Sequence, residues 1–277
     1  MLQRKIVLAL LALWLCKLSG LTLAQGLSQD ALIKPINGQF LSEGHPVDEF
    51  HCEPMVPGKH PVVLLIHGCA PEGFGDDEFK QMCVSLAEHG YYAMFVEYYS
   101  RTGQPNCAQF AMIETHDLSS AMPLPSAIWA REIVAAGTSL GKNGKVDSSR
   151  FGLVGFSSGA LMALVEASFY PDVVRAVVDY YGFMTPRGKM FVGTPPVFPP
   201  TLILQGDADS RVSTGQSLAG QSSDVEALLV RHGDSHEFHV YPGVEHTFNF
   251  HEARGYDPDA AKDAWARTLT FLEAHLR

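Results

Sequence analysis

A mostly parallel α/β sheet with helices on both faces is the fold this 277-residue sequence predicts. Two observations predict it. Short apolar runs without polar alternation recur along the chain, and stretches with helical spacing separate them. Strands buried on both faces read in that unalternating way, and parallel neighbours need helical crossovers between them.

The strands read, in order, as PVVLLIHG (61–68), YYAMFVEYY (91–99), RFGLVGF (150–156), RAVVDYYGF (175–183), TLILQGD (201–207) and EFHVYPG (237–243). Helices are expected over 77–89, 126–140, 158–169 and 214–232, with 258–275 closing the chain. One or two antiparallel strands are expected near 38–52.

The amino-terminal residues stand apart from this pattern. Arg4 and Lys5 precede an apolar run from Ile6 to Leu15, and Thr22-Leu23-Ala24 offers small residues at the positions a signal peptidase reads. Residues 1–24 are therefore expected to be a signal peptide, and the chain to be exported to the periplasm or beyond. An uncleaved anchor is the alternative, but the apolar run before Lys17 is short for a span of about 20 residues. Cleavage leaves a single domain over residues 25–277, since no repeat or low-complexity linker divides it.

Losing Arg4, Lys5 and Lys17 takes the 20 basic residues to 17 against 30 acidic ones, a net charge near −13. That balance argues against nucleic acid or an anionic membrane as partner, and no stable membrane association is expected after cleavage. The sequence does not specify an oligomeric state. Cys52, Cys69, Cys83 and Cys107 remain, an even count that suggests disulfides in an exported chain, with three possible pairings. The spacing suggests no metal site: His236 and His239 fall in an expected strand, where positions three apart face opposite ways.

Gly155-Phe156-Ser157-Ser158-Gly159 fits G-x-S-x-G between an expected buried strand and an expected helix. That turn lifts a serine oxygen above the carboxyl edge of a sheet, where ligands of such folds bind. The structural alternative is a plain tight connection with Ser158 capping the helix. A serine nucleophile needs a base, and the base needs a carboxylate, in the chain order Ser, Asp, His. Two later segments supply them at the same edge. LILQGDADSRV offers Asp209, favoured over Asp207, whose place directly after the strand suits turn bonding; Asp179 is a third candidate. VYPGVEHTFNF offers His246, favoured over His236, His239 and His251. Backbone N–H groups of Ser158 and of Cys69, after VVLLIHG, are the expected oxyanion donors.

The blocks LLIHG, LAEHGYYAMFVEYYSRTG, GFSSGA, LILQGDADSRV, YPGVEHTFNF and YDPDAAKDAWARTLTFLEAHL, in that order, resemble the dienelactone hydrolases of the α/β-hydrolase superfamily over roughly residues 45–276. The resemblance implies the α/β-hydrolase fold and an acyl-enzyme hydrolase with the triad Ser157, Asp209 and His246. It implies that the strands ending near Gly68 and Tyr99 are neighbours, which makes Cys69–Cys107 the preferred bridge; Cys83, in an expected helix, is read instead as a buried thiol.

The departures carry information too. The best-known members have a cysteine where Ser157 stands and a glutamate in the oxyanion loop where Gly68 stands, so the chain resembles the esterase-like relatives more than the lactone specialists. Arg101 falls where the specialists carry one carboxylate-binding arginine, but the position of their second, four after the histidine, holds Phe250; both are read as possible substrate contacts, with Arg101 favoured as a structural residue or a weak anchor. The expectation is a serine hydrolase of small-molecule carboxylic esters or lactones that needs no cofactor or metal. A serine peptidase of the same superfamily and a non-catalytic binding protein retaining the fold are the alternatives.

Overall fold

Strands that read as continuous apolar runs do lie in the middle of a sheet. The computed structural model describes residues 33–69, 74–103, 125–184, 198–210, 212–213 and 216–277, and the expected signal peptide lies outside them. In chain order the elements are β1 (Ile36–Ser42), β2 (His45–Cys52), β3 (His60–Ile66), α1 (Asp76–Glu88), β4 (Tyr92–Val96), α2 (Pro125–Gly141), β5 (Val146–Phe156) and α3 (Ser158–Phe169). There follow β6 (Val174–Tyr180), β7 (Thr201–Gly206), β8 (Val212–Ser213), β9 (Gln216–Ser217), α4 (Leu218–His232), β10 (His236–Tyr241) and α5 (Pro258–Leu276). Residues 33–277 form one compact unit.

The main sheet runs β1-β2-β4-β3-β5-β6-β7-β10. From β4 to β10 its pairs are parallel, while β1 pairs β2 and β2 pairs β4 antiparallel. Every residue of β3, β4 and β7 is buried, which is why these strands lack polar alternation. The β1 hairpin strand keeps an exposed face instead. Period-two geometry then divides the core. Val62, Leu64 and Ile66 enter one cluster with Trp129 of α2 and Leu161 of α3. Val63 and Leu65 enter the other, with Phe79 of α1 and Phe271 of α5.

Helix ends follow local chemistry. At α5 the Asp257 carboxylate accepts the N–H groups of Asp259 at 3.1 Å and Ala260 at 2.9 Å, and Pro258 opens the first turn where its missing N–H costs nothing. Asp76, Asp77 and Glu78 fill the first turn of α1, favourable beside the positive end of its dipole.

Several expected boundaries move, three of them for a visible local reason. The aromatic run after β4 leaves the sheet at Glu97 and turns, with Ser100 N–H bonded to the Glu97 carbonyl and Thr102 N–H to that of Tyr99. Strand β6 stops at Tyr180, because Tyr181 adopts a positive φ of 41°. Helix α4 begins at Leu218 rather than 214, because Val212–Ser213 first pair antiparallel with Gln216–Ser217.

A disulfide joins Cys52 of β2 to Cys83 of α1, with Cα atoms 5.6 Å apart. This corrects the reading of Cys83 as a buried thiol: antiparallel pairing of β2 on β4 carries Cys52 under α1, which the linear spacing does not reveal. Cys69 is also disulfide-bonded, and Cys107, the partner implied by resemblance, lies outside the described residues.

Candidate active site

The chain reverses its order of strand addition between β3 and β5, and such a switch point opens a crevice at the carboxyl ends. Ser157 stands there, between the end of β5 and the start of α3. Its backbone is forced to φ 55° and ψ −118°, a strained conformation for a residue with a side chain. The Ser157 N–H donates to the Tyr180 carbonyl at 2.9 Å, and the Ser157 carbonyl accepts Ala160 N–H at 3.0 Å. The flanking glycines allow the helix to lie this close. A Cβ on Gly155 would come within 2.5 Å of Ala160 Cα, and one on Gly159 within 2.2 Å of the Ile66 carbonyl oxygen.

His246 and Asp209 complete the arrangement. Ser157 Oγ lies 3.0 Å from His246 Nε2, and His246 Nδ1 lies 2.6 Å from Asp209 Oδ2. With Nδ1–H donating to the carboxylate, Nε2 is left as the acceptor for the serine proton. All three residues are buried, and the His246 ring packs at 4.6 Å, centroid to centroid, against Tyr181. Gln205 holds the carboxylate from behind, its Nε2 donating to Asp209 Oδ2 at 3.2 Å, and Ser222 Oγ donates to Gln205 Oε1 at 2.6 Å. Sequence reasoning passed over Gln205, although a glutamine inside the apolar run TLILQGD was a signal.

The other candidates are engaged elsewhere. Asp207 accepts Gly243 N–H at 2.6 Å, the turn bonding expected of it. His236 bonds the Asp234 carbonyl, His239 lies 3.7 Å from the Asp263 carboxylate, and His251 faces Glu78.

Asp179 lies wholly buried at the end of β6, with Oδ1 accepting Gly182 N–H at 2.7 Å and Oδ2 unpartnered. Burial pushes its carboxyl up to about 7. The folded chain therefore holds this proton more tightly than the unfolded chain, and stability contributed by the protonated form is lost as pH rises from about 4 to about 7. Asp179→Asn keeps an acceptor for Gly182 and should remove that loss, on the order of a few kcal/mol. Chemical denaturation of parent and variant at pH 5 and pH 8 checks it.

The expected oxyanion donors meet, with one change. Cys69 N–H already donates to Ser158 Oγ at 2.7 Å, because the small loop after β3 lies directly against the elbow. Ser158 Oγ lies 3.5 Å from the Tyr99 hydroxyl, and the Tyr98 hydroxyl bonds Tyr99 at 2.9 Å and the His67 carbonyl at 2.7 Å. Beneath the loop, His67 stacks on Phe95, and burial holds its imidazole down to about 4, hence neutral. The N–H of Ser158 belongs to the first turn of α3, where amides have no partner within the helix.

Arg101 and Phe250, read as possible substrate contacts, have structural partners. Arg101 forms ion pairs of 2.9 Å with Glu43 and with fully buried Glu132, and donates to the Ser42 carbonyl at 2.9 Å. Phe250 is 3% exposed and packs on Phe74, Phe79 and Phe156 as part of the core behind the elbow. Both contacts come from residues distant in sequence, which spacing alone does not show. Arg101→Ala strands the Glu132 carboxylate without its cation, so unfolding free energy should fall by about 3 kcal/mol, while turnover of neutral esters changes little. Urea unfolding beside steady-state kinetics tests both halves.

A family model for the dienelactone hydrolase family matches residues 47–276. The chain belongs to that family. Membership makes it a hydrolase of the lactone and ester class. A Bradyrhizobium protein named as a 2-oxo-3-(5-oxofuran-2-ylidene)propanoate lactonase is 26% identical over 235 residues, covering 80% of this chain and 87% of that protein. A Salmonella typhimurium protein named as a carboxymethylenebutenolidase is 28% identical over 241 residues, covering 83% of this chain and 84% of the relative. The crystal structure of a Klebsiella pneumoniae protein described as a dienelactone hydrolase superposes with a TM-score of 0.71 at 22% identity, covering 88% of this chain and all of the other. That likeness shows the α/β-hydrolase fold in this dienelactone hydrolase family chain.

Proposed function

We propose that the protein is an exported serine hydrolase of carboxylic esters or lactones that works through an acyl-enzyme. The observation that carries this reading is the unbroken series from Asp209 through His246 to Ser157, with separations of 2.6 and 3.0 Å. Ser157 Oγ attacks the substrate carbonyl as His246 Nε2 takes its proton, and Asp209 stabilises the imidazolium so formed. Collapse of the tetrahedral intermediate expels the alcohol, which receives that proton, and water then repeats the cycle on the acyl-serine.

The Ser158 amide offers the oxyanion a hydrogen bond from the start of α3, and Cys69 adds a second in exchange for its bond to the Ser158 hydroxyl. The lactones named for the relatives carry a carboxylate, a natural partner for free guanidinium groups. Here Arg101 is held by Glu43 and Glu132, and Phe250 takes the position of the specialists' second arginine. That favours neutral aryl or short acyl esters over a small anionic lactone.

A panel of p-nitrophenyl esters and lactones tests this, with kcat/KM expected to be higher for the esters than for dienelactone. Preference for dienelactone by more than about tenfold, roughly 1.4 kcal/mol of transition-state binding, that collapses in Arg101→Ala would overturn it.

A further inference from the structure

A second cavity, of about 370 Å³, opens between α2, α3 and the first half of β5. Phe151 in its wall lies six residues before Ser157 along the chain, about 20 Å at strand rise, so the cavity sits near the opposite edge of the sheet from the catalytic residues. Its lining is apolar apart from a few groups and includes no basic side chain. Among the lining residues is Glu166, 3% exposed, with its Oε1 buried and without a hydrogen-bond partner.

The cost of that arrangement calls for an explanation. Along α3 the neighbouring buried positions are almost all apolar or small, including Leu161, Met162, Leu164 and Ala167. An unpartnered carboxyl is costly there, where leucine would pack without penalty. Tyr170 and Val173, 43% and 47% exposed, form part of the lining and leave apolar surface open to solvent. The volume falls within the range of small-molecule sites, and an apolar wall with a single polar group is their usual construction.

We propose that this cavity is a second ligand site, distinct from the Ser157 site, for a neutral and largely apolar small molecule that presents one carbonyl or ether oxygen to the Glu166 carboxyl. Burial pushes that carboxyl up to about 8, so at neutral pH it carries the proton needed to donate. The ligand supplies the missing partner and covers the apolar wall, and neither role requires Ser157.

Prodan, a neutral naphthyl ketone whose fluorescence reports a dry environment, is the probe. Saturable binding at one site per chain is expected in the purified protein. Gly137→Leu, which fills the cavity from α2, and Val173→Trp, which obstructs its entrance, should each weaken binding at least tenfold, with folding verified by a cooperative unfolding transition. Glu166→Gln retains a donor and should stay within about threefold of the parent, whereas Glu166→Leu should lose at least fivefold. Absence of saturable binding, or binding unaffected by the folded filling variants, overturns the proposal. Equal loss in Glu166→Gln and Glu166→Leu overturns the role of Glu166 as a hydrogen-bond donor to a neutral acceptor. A dimer by sedimentation that Val173→Asp dissociates, with no probe bound, makes the patch a contact between copies and likewise overturns it.

Discussion

Ser157→Ala is expected to reduce ester turnover by about four orders of magnitude or more and to fold as the parent does. On the proposed mechanism the loss of Oγ removes the attacking atom and leaves the rate to the oxyanion donors and binding. The fold should tolerate the change, because backbone bonds from Ser157 to Tyr180 and Ala160 fix the elbow and persist. Ser157→Gly adds a second readout. The φ of 55° with ψ of −118° costs a side-chain-bearing residue about 1–3 kcal/mol, and glycine largely escapes that cost. The glycine variant should thus be inactive and more thermally stable than the alanine variant, as measured by calorimetry beside initial rates. Equal stability would mean that the elbow is not strained.

Asp209→Asn should cost a comparable factor, about 10⁴ in kcat. The amide can turn its NH₂ toward His246 Nδ1, which then becomes an acceptor and moves the imidazole proton to Nε2. A protonated Nε2 faces Ser157 Oγ across 3.0 Å and cannot take its proton. The same substitution at Asp207 removes a turn acceptor for Gly243 and should leave kcat within about tenfold of the parent, since that carboxylate does not meet the histidine. Measured kcat for the pair decides between the two neighbouring acids.

The catalytic candidates were legible because each sits at a break in an apolar pattern. Ser157 follows the apolar end of β5 and precedes a helix, Asp209 follows β7, and His246 follows β10, so parallel topology delivers all three to one edge. What lies behind them depends on side chains from separate elements. The support of Asp209 by Gln205 and Ser222 joins β7 to α4, and the bond of Cys69 to Ser158 joins the loop after β3 to the first turn of α3, 89 residues away. Arg101 gave the opposite lesson. Its position after β4 matches a ligand-binding arginine by resemblance, yet Glu43 in the β1–β2 turn and Glu132 on α2 take its charge. The Cys52–Cys83 bridge was equally hidden, since it depends on where β2 lies relative to α1.

The claim that Ser157 is the covalent nucleophile is tested most directly by mass spectrometry of the protein after reaction with a fluorophosphonate. A single adduct is expected, mapped by peptide fragmentation to Ser157, absent from Ser157→Ala and formed far more slowly in Asp209→Asn. An adduct on another residue, or a protein that hydrolyses esters at its full rate without being labelled, would contradict the account.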